Sequence, residues 1–315
     1  MANRRVLVVG GGTMGVDIAA SFAAGGWDAE IVNPNDARFV TIQSRFQEAL
    51  ERLQCGHAPA LALHQQLDEV AWADLDLVIE AVPEVLPLKQ KIFADLERLA
   101  KQDTPLCSNS SALPISAIGK GLRSQHRMLG THYFMPAYLV PAVEVVCSAH
   151  TDPTVADRVS EMLRSVGKVP IRVKKDLPGF LINRLQHAVS REALKLVDQG
   201  ITTPADIDAA VRFGFGFRYI AAGPCLQRDH AGLDVHHAAA QSIYPDLCND
   251  AEPSAVLSER VASGAIGMKA GRGFYDWTPE TIAAEKKRYE ALLLAASSLL
   301  AKEIQATHHA SDDAS

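Results

Sequence analysis

Two residues near the middle of the chain have side chains that could move a proton. His132 ends one short apolar segment, and Glu144 lies in the next such segment, twelve residues later. A histidine whose second ring nitrogen is held by a carboxylate is the usual base for removing a hydroxyl proton during hydride transfer. The two residues could pair across neighbouring strands. Alternatively, His132 is an ordinary hydrogen-bonded histidine at a strand end and Glu144 is an edge charge, and the spacing alone does not decide between these interpretations.

A glycine-rich segment at 10–15, with the sequence G-G-G-T-M-G, could bind the phosphates of a dinucleotide. It fits the pattern G-x-G-x-x-G and lies between an apolar strand candidate and an amphipathic helix candidate. In this pattern Gly10 permits a tight turn, Gly12 lets backbone N–H groups approach a pyrophosphate, and Gly15 allows close helix–strand packing. Thr13 and Met14 lie at the helix N-terminus, which favours an anion. We therefore expect a dinucleotide site, the alternative being a simple glycine-rich turn.

The residue after the second strand candidate bears on which dinucleotide binds. An Asp or Glu is expected there, about 20 residues after the glycines, to bind the adenosine ribose hydroxyls of NAD. The position holds Asn33, which can still hydrogen-bond a hydroxyl but lacks the carboxylate that repels the extra phosphate of NADP. No arginine follows directly to pair with that phosphate, the nearest being Arg38. We expect NAD as the cofactor, with NADP left open because of Asn33.

The elements that must position these residues follow two patterns. In the first half, short apolar segments alternate with amphipathic stretches, which indicates strands joined by helices in a parallel sheet. The predicted strands are 6–9, 29–32, 75–82, 106–109, 128–134, 143–147 and 169–173. The predicted helices of this half are 14–24, 39–53, 88–99 and 155–166. After residue 179 only helical periodicity remains, with helices over 180–197, from 203, and from 278 to about 300.

These patterns predict an α/β fold. An N-terminal Rossmann-like, mostly parallel sheet with helices is followed by an all-helical C-terminal domain. The predicted bounds are 1–176 for the dinucleotide-binding domain, 177–306 for the helical domain and 307–315 for a flexible polar tail.

Composition excludes several classes of function. The 315-residue chain has a formal net charge of −6 and no Lys/Arg-dense stripe, so nucleic acid is not an expected partner. No stretch approaches the ~20 apolar residues of a membrane span, and the N-terminal apolar segment is too short for a signal peptide. The five cysteines are scattered without C-x-x-C spacing, which predicts neither disulfides nor a metal site. We expect a cytoplasmic protein with no membrane partner.

Further residues, taken in their order along the chain, resemble the L-3-hydroxyacyl-CoA dehydrogenase superfamily. The likeness runs from the glycine segment to G-F-Y at 273–275. It implies a Rossmann-like domain followed by a helical domain that forms a homodimer and closes over the substrate. It also implies that His132 and Glu144 are the catalytic pair and that Ser111 and Asn183 hydrogen-bond the reacting oxygen. The residues that the resemblance implies as further cofactor contacts are Glu84, Lys89, Ser111 and Lys269.

A departure from the superfamily pattern concerns the CoA nucleotide. The serine and lysine that hold it in acyl-CoA relatives are replaced by Ala49 and, near the second position, Gly56. The chain has no lysine before Lys89. CoA carries three phosphate groups, for which charge-assisted contacts are the expected device. Arg45 and Arg52 could substitute, so the CoA interpretation is weakened but stays open.

Two further departures concern the substrate itself. The asparagine that usually precedes the proline of the histidine segment is Met135, whose thioether cannot replace the amide donor. The segment G-F-G-F-R-Y at 214–219 resembles the lambda-crystallin and L-gulonate 3-dehydrogenase branch of the superfamily, where acyl-CoA enzymes have proline in place of the arginine. Arg218 could bind a free carboxylate bidentately, whereas a thioester offers no such anion. Its alternative role is an ion pair at an interface or helix end.

We therefore expect an NAD-dependent oxidoreductase that transfers hydride between nicotinamide and the 3-hydroxyl of a small free hydroxy acid, whose carboxylate Arg218 binds. One alternative is an L-3-hydroxyacyl-CoA dehydrogenase acting on CoA thioesters. A second, from a different class, is a non-catalytic structural protein of the crystallin type. Turnover with a nicotinamide cofactor would separate that second alternative from the other two.

Overall fold

The structure is a computed structural model that describes residues 4–57 and 59–309. Its internal contacts divide the chain into two units. The first unit comprises Met1–Ile182 together with Leu293–Ser315, and the second comprises Asn183–Leu292. The predicted domain boundary after residue 176 falls shortly before this division, and the return of the C-terminal stretch to the first unit was not predicted.

Eight strands form one sheet in the first unit. They are β1 (Arg5–Val9), β2 (Asp28–Val32), β3 (Leu61–His64), β4 (Leu77–Glu80), β5 (Leu106–Ser108), β6 (Met128–Tyr133), β7 (Ala142–Cys147) and β8 (Val169–Val173). Their order across the sheet is β3-β2-β1-β4-β5-β6-β7-β8. Every neighbouring pair is parallel except β6 and β7, which are antiparallel. The predicted Rossmann-like, mostly parallel sheet is confirmed.

Helices cover both faces of this sheet. They are α1 (Thr13–Ala24), α2 (Phe39–Arg52), α3 (Leu86–Leu99), α4 (Ile115–Ile118) and α5 (Pro153–Ser165). Alternate residues of the strands point to opposite faces, and each face has its own hydrophobic core. Phe22 and Phe46 are fully buried in one core, and Phe93 and Leu96 in the other. Burying each such side chain contributes about 1.5–3 kcal/mol to folding. The two cores therefore stabilise the sheet and hold its strand ends, where the polar residues lie, in place.

One strand was missed in the sequence. β3 lies at the edge of the sheet, and none of its four residues is fully buried. Its sequence, Leu-Ala-Leu-His, contains no β-branched residue and no aromatic residue other than histidine. The strand propensity of this segment is therefore weak, and the hydrogen-bonded pairing with β2 stabilises the strand instead.

The second unit is helical, as predicted. Its helices are α6 (Ile182–Asp198), α7 (Pro204–Ala209), α8 (Gly216–Tyr219), α9 (Pro224–Ala231), α10 (Leu233–Ile243), α11 (Ala255–Ala262) and the first part of α12 (Pro279–His309). A π-helical segment, Ala210–Phe215, joins α7 to α8. Within Asn183–Leu292, all of which the structure describes, only Ala222 and Ala265 are buried. A single copy of this unit therefore has almost no core of its own.

The later part of α12 belongs to the first unit, where Leu293 and Leu294 pack against the core that contains Phe22. The helix continues to His309, beyond the predicted end near residue 300 and three residues into the predicted tail of 307–315. The rest of that tail, 310–315, lies outside the described residues.

Two kinds of feature are absent from the part of the chain that the structure describes. No helix there is both long and apolar enough to span a membrane. No group of three His, Cys, Asp or Glu side chains is arranged to hold a metal ion. The five cysteines are free thiols.

Candidate active site

The glycine loop, residues 10–15, joins β1 to α1 and makes two close backbone approaches that exclude side chains. A Cβ atom on Gly10, whose φ is +121°, would lie 2.7 Å from the Ala81 carbonyl oxygen. A Cβ atom on Gly15 would lie 1.9 Å from the Gly10 carbonyl oxygen. By contrast, a Cβ on Gly12 would meet no atom within 4 Å. Gly10 and Gly15 thus permit the turn, and Gly12 lies beside open space that a ligand can enter.

That open space faces the N-terminus of α1. Gly12 is the N-cap residue, and no described side chain accepts a hydrogen bond from the helix at this end. The first turn, which begins with Thr13 and Met14, contains no acidic residue. Its backbone N–H groups therefore have no partner within the helix and attract an anion. This cradle fits the pyrophosphate of a dinucleotide.

Asn33 follows β2 directly and is 6% exposed. Its Nδ2 donates to the Asn35 carbonyl oxygen at 2.7 Å. Its Oδ1 lies on the side of the glycine loop, because a Cβ on Gly11 would be 3.1 Å from it. The amide therefore offers an acceptor, as the usual carboxylate would, but without a negative charge. Arg38 is exposed at the end of a short 3-10 helix.

His132 and Glu144 are brought together by the antiparallel pairing of β6 and β7, in which they are register partners. His132 Nδ1 lies 2.6 Å from Glu144 Oε2. The residues are 2% and 0% exposed. Because an ionised carboxylate only accepts hydrogen bonds, Nδ1 carries the proton, and Nε2 is left as the basic ring nitrogen.

The other carboxylate oxygen of Glu144 is also occupied. Oε1 accepts from the backbone N–H groups of Leu181 and Ile182, at 2.8 and 2.7 Å. Burial opposes ionisation of this carboxyl, but the hydrogen bonds from His132 and from the two backbone groups outweigh it and hold the pKa of Glu144 below its ordinary value. Glu144 is therefore a fixed anion that orients the imidazole.

Two aromatic rings hold the imidazole of His132 edge-on. The centroid of Phe134 lies 4.5 Å from that of His132, and the centroid of Phe180 lies 5.6 Å away. Phe180 is 2% exposed and has a φ of +48°, which is rare for a bulky residue. Neither aromatic residue was predicted as part of the site. The P-G-F segment at 178–180 was the signal that could have pointed to Phe180.

Ser111 lies on the loop after β5, and its Oγ is 3.1 Å from His132 Nε2. The predicted neighbours His132, Glu144 and Ser111 thus meet at one place, where β5 and β6 end and the antiparallel β7 begins. A substrate hydroxyl that replaced or joined the Ser111 hydroxyl at Nε2 would be within reach of the base.

Glu84 and Lys89, which the resemblance implied as cofactor contacts, form an ion pair in which Glu80 also takes part. Lys89 is 1% exposed, and its Nζ lies 2.7 Å from Glu80 Oε1 and 3.3 Å from Glu84 Oε2. Glu84 Oε1 accepts from the backbone N–H of Ser111 at 3.1 Å. Their predicted contact with the cofactor stays a prediction. Glu80 was missed in the sequence, although a glutamate closing an apolar strand, L-V-I-E at 77–80, was a visible signal.

The remaining predicted residues lie in the second unit. Asn183 is half-buried in the first turn of α6. Arg218 is exposed in α8, and Lys269 is exposed in a short 3-10 helix, Met268–Ala270. Their roles stay predictions. Met135, which replaces the usual asparagine, is 64% exposed beyond the end of β6.

The two arginines that could have held a CoA phosphate are already engaged. Arg45 Nη2 and Nε lie 2.8 and 3.0 Å from Oδ1 of the buried Asp17. Arg52 Nη1 donates to the Tyr138 hydroxyl at 3.0 Å. Ala49, which replaces the usual serine, is 2% exposed and lies within the core. This part of α2 therefore offers little to a polyphosphate.

Comparison with curated proteins gives relatives along nearly the whole chain. The chain is 32% identical to 5-formyl-3-hydroxy-2-methylpyridine 4-carboxylate 5-dehydrogenase of Mesorhizobium japonicum, over 90% of this chain and 95% of that protein. It is 32% identical to 3-hydroxybutyryl-CoA dehydrogenase of Mycobacterium tuberculosis, over 88% of this chain and 99% of that protein. It is 33% identical to lambda-crystallin of Oryctolagus cuniculus, over 70% and 72%.

Solved structures agree with these relatives. The crystal structure of 5-formyl-3-hydroxy-2-methylpyridine 4-carboxylic acid 5-dehydrogenase, described as an NAD⁺-dependent dismutase, superposes with a TM-score of 0.89 at 30% identity. It covers 95% of this chain and 99% of the other. That of (S)-3-hydroxybutyryl-CoA dehydrogenase from Ralstonia eutropha gives 0.70 at 28% identity, covering 88% and 100%.

Family models match both units. Residues 5–177 match the NAD binding domain of 3-hydroxyacyl-CoA dehydrogenase, and residues 179–277 match its C-terminal domain. The chain therefore belongs to the 3-hydroxyacyl-CoA dehydrogenase family, whose members are NAD-dependent dehydrogenases acting on hydroxyl groups.

Proposed function

We propose that this enzyme transfers hydride between NAD and the carbinol carbon of a small free hydroxy acid. The observation that carries the reaction type is the buried His132–Glu144 pair, whose 2.6 Å contact leaves Nε2 as the basic nitrogen facing Ser111. NAD, when bound, supplies the carbon that accepts or returns the hydride. The residues of the chain bind the alcohol and transfer its proton.

In the oxidation direction, His132 Nε2 takes the hydroxyl proton as the hydride leaves the carbinol carbon. The imidazolium that forms lies against the fixed anion of Glu144, which offsets its charge where both side chains are buried. Phe134 and Phe180 support this by restricting rotation of the ring. In the reverse direction the same nitrogen returns the proton.

Ser111 and Asn183 are proposed to hydrogen-bond the reacting oxygen. The Ser111 hydroxyl already lies at hydrogen-bond distance from His132 Nε2, so an alcohol oxygen bound there can contact both groups. Donors aimed at this oxygen stabilise the partial negative charge that develops on it when the carbonyl is reduced.

The free-acid substrate is supported by the state of the cations on α2. Arg45, one of the two possible substitutes for the missing lysine, forms an ion pair with Asp17, and releasing it to a phosphate would remove the ion-pair partner of a buried carboxylate. Arg218 is proposed to take the substrate carboxylate through its planar fork. The Mesorhizobium relative, which is named for a pyridine carboxylate, is consistent with this choice.

CoA thioesters remain the alternative, since the Mycobacterium relative is named for one. The experiment that separates the two gives the purified enzyme acetoacetyl-CoA with NADH in one arm, and 3-hydroxybutyrate or L-gulonate with NAD in the other. Larger kcat/KM on a free acid supports the proposal. Efficient reduction of acetoacetyl-CoA with no turnover of any free acid overturns it.

A second candidate substrate is an aromatic aldehyde acid. It is favoured by the TM-score of 0.89 to a dehydrogenase named for a formyl pyridine carboxylate. A hydrated aldehyde presents a hydroxyl on a carbon that bears hydrogen, so the same base could serve. A formyl-substituted aromatic acid therefore belongs in the free-acid arm, and its turnover in place of 3-hydroxy acids would select this candidate.

The helical unit is proposed to form a homodimer with a second copy. Its support is the missing core, because only Ala222 and Ala265 are buried between Asn183 and Leu292 in one chain. Its exposed large apolar residues include Leu185, Val189, Phe213, Phe217, Leu233, Val235 and Tyr244. Exposed apolar surface of this extent on a unit without a core is typical of an interface. Light scattering on purified protein tests the stoichiometry, and a monomer at micromolar concentration contradicts it.

NAD is proposed over NADP, because no arginine directly follows Asn33. A cytoplasmic location is also proposed, since all five cysteines are free, as is usual for proteins in reducing compartments.

A further inference from the structure

A buried group of charges lies beneath the loop that carries Ser111, and proton transfer does not account for it. Glu80 ends β4 with no exposed surface, and Lys89 lies in the first turn of α3 with 1% exposed. Their Oε1 and Nζ atoms are 2.7 Å apart. A buried ion pair contributes little net stability over an apolar pair of the same size, because both groups lose their hydration. The pair is therefore better explained by the neighbouring groups that it holds in place.

Glu80 ties the end of β4 to the end of β5. Its Oε2 accepts from the Ser108 hydroxyl at 2.7 Å, and Ser108 is its register partner in β5. Its Oε1 also accepts from the backbone N–H of Val82 at 2.7 Å. The Ser108 Oγ in turn accepts from the backbone N–H of Ser110 at 3.2 Å. One carboxylate thus anchors the start of the loop that leads to Ser111.

Glu84 anchors the rest of that loop. We call residues 110–113 the serine loop. Glu84 Oε1 accepts from the Ser110 hydroxyl at 2.5 Å and from three successive backbone N–H groups, those of Ser111 at 3.1 Å, Ala112 at 3.0 Å and Leu113 at 3.3 Å. Successive N–H groups directed at one point form a nest for an anion. Burial opposes ionisation, but these donors and the Lys89 charge outweigh it and lower the pKa of Glu84.

Lys89 links the two carboxylates. Its Nζ bonds Glu80 Oε1 and lies 3.3 Å from Glu84 Oε2, the oxygen that does not face the serine loop. With the charge of Glu80 removed, the buried ammonium would have Glu84 as its one remaining anion among these residues. We expect it then to draw the Glu84 carboxylate away from the nest, and the serine loop to lose its anchor.

Resting on the proposed roles of Ser111 and His132, we propose that Glu80 is a positioning residue: through Lys89 and Ser108 it holds the serine loop and keeps the Ser111 hydroxyl against His132. The contacts form an unbroken path, from Glu80 to Lys89, to Glu84, to the Ser111 N–H, and from the Ser111 hydroxyl to His132 Nε2 at 3.1 Å. Lys89 acts in this path as a buried counter-ion.

The test reads the imidazole of His132 directly. Protein labelled with ¹⁵N-histidine is compared by NMR as wild type, Ser111→Ala and Glu80→Gln, with the His132 signals assigned by their loss in His132→Gln. Glu80→Gln keeps the shape and one acceptor but removes the charge. We expect it to move the Nε2 signal as Ser111→Ala does, and to lower kcat by about 10- to 100-fold, the usual effect of a small misplacement.

Glu30→Gln is the matched control. Glu30 is another buried carboxylate of the same sheet, 6% exposed in β2, and it accepts from His64 and Arg5 away from the site. It should leave both the Nε2 signal and kcat at wild-type values. This separates loss of a specific anchor from general loss of a buried carboxylate.

A double variant covers the case in which Glu80→Gln alone unfolds the protein. Glu80→Gln with Lys89→Met removes both charges, so no unpaired ion stays buried, and the melting temperature should recover towards wild type. The Nε2 signal should still be displaced from its wild-type position, because Glu84 has lost Lys89, the cation that holds its second carboxylate oxygen. If the double variant recovers both stability and the wild-type signal, the pair is merely structural and the proposal fails.

The outcomes also separate this proposal from the proposed function. If Ser111→Ala moves the Nε2 signal but Glu80→Gln does not, the positioning role is wrong and the function stands. If the signals behave as expected but wild type turns over no free acid, the substrate proposal is wrong and the positioning role stands. If Ser111→Ala itself leaves the signal unchanged, the Ser111–His132 contact is absent and Glu80 cannot act through it.

Discussion

Replacing Glu144 by glutamine preserves the size of the side chain but reverses the hydrogen bonding of the atom that faces His132. The carboxylate accepts one bond from His132 Nδ1 and two from the backbone N–H groups of Leu181 and Ile182. An amide has one accepting oxygen. With that oxygen on the two backbone groups, its NH₂ faces Nδ1, and His132 must carry its proton on Nε2 instead. The nitrogen that should take the hydroxyl proton is then already protonated.

The magnitude follows from losing both the tautomer and the counter-charge. An amide in place of the orienting carboxylate of a histidine base lowers kcat by about 10⁴ in a serine protease, so we expect a fall of about 10³–10⁴ here. At 1.36 kcal/mol for each factor of ten, this is about 4–5.5 kcal/mol of transition-state stabilisation. Folding should lose less, about 1.5–3 kcal/mol, the usual contribution of one hydrogen bond to a charged group.

The assay measures kcat from NADH absorbance, the Kd of NADH by fluorescence and the free energy of unfolding in urea. The Kd should change little, because the dinucleotide cradle at α1 does not involve Glu144. Glu30→Gln is again the matched control, since Glu30 Oε2 also accepts from a histidine, His64 Nε2, at 2.8 Å. It should lower the unfolding free energy by a similar amount and leave kcat unchanged.

The reasoning fails if Glu144→Gln retains kcat within about tenfold of wild type while NADH binding is intact. That result would mean that His132 does not need Nδ1 protonated, and so that it is not the base. An equal loss of kcat in Glu30→Gln would also refute it, because the effect would then come from the sheet and not from the pair.

Three further predictions concern the cofactor, the substrate and pH. Asn33→Asp should raise the ratio of kcat/KM for NAD to that for NADP, because the new carboxylate repels the 2′-phosphate; an unchanged ratio would remove Asn33 from the ribose. Arg218→Met should lower kcat/KM on a free acid by about 1.5–3 kcal/mol and on acetoacetyl-CoA far less; equal losses on both would contradict the carboxylate role. The free energy of unfolding should fall as the pH drops below about 4.5, the ordinary pKa of a glutamate, because hydrogen bonds outweigh burial and lower the pKa of Glu144 and Glu84 in the folded state. In Glu144→Gln this acid loss, followed by urea unfolding, should be shallower; an identical slope would show that the carboxyl titrates alike in both states.

The local sequence allowed His132 to pair with Glu144 without deciding for it, and the resemblance to the superfamily selected that pairing. Two apolar segments separated by a short connection are typical of neighbouring strands, on which side chains alternate between the two faces. The alternating pattern of the first half predicted the sheet for the same reason. The glycine loop could also be predicted, because its glycines have the spacing that a tight turn and close backbone approaches require.

The contacts of Glu80 and the existence of β3 could not be predicted, because both depend on partners that only the assembled fold brings together. Glu80 is explained by Ser108 and Lys89, which reach it only after β5 and α3 have packed. In the sequence Lys89 is an ordinary charge at a helix start, and nothing nearby indicates that it is 1% exposed. β3 likewise depends on its partner β2. Burial of a charge is a property of the assembled fold, so a sequence pattern does not report it.

The substrate class depends on this same distinction between a cation that is present and one that is available. The sequence offers Arg45 and Arg52 of α2 as substitutes for the missing lysine of the CoA site, and Lys89 of α3 is the first lysine of the chain. In the fold, Arg45 is paired with Asp17, Arg52 donates to Tyr138, and Lys89 is buried between two carboxylates. Recruiting any of them for CoA would first break an existing contact and, for Arg45 or Lys89, would remove the ion-pair partner of a buried carboxylate. A small acid with one carboxylate makes no such demand on the first unit, and this supports the proposed free-acid substrate.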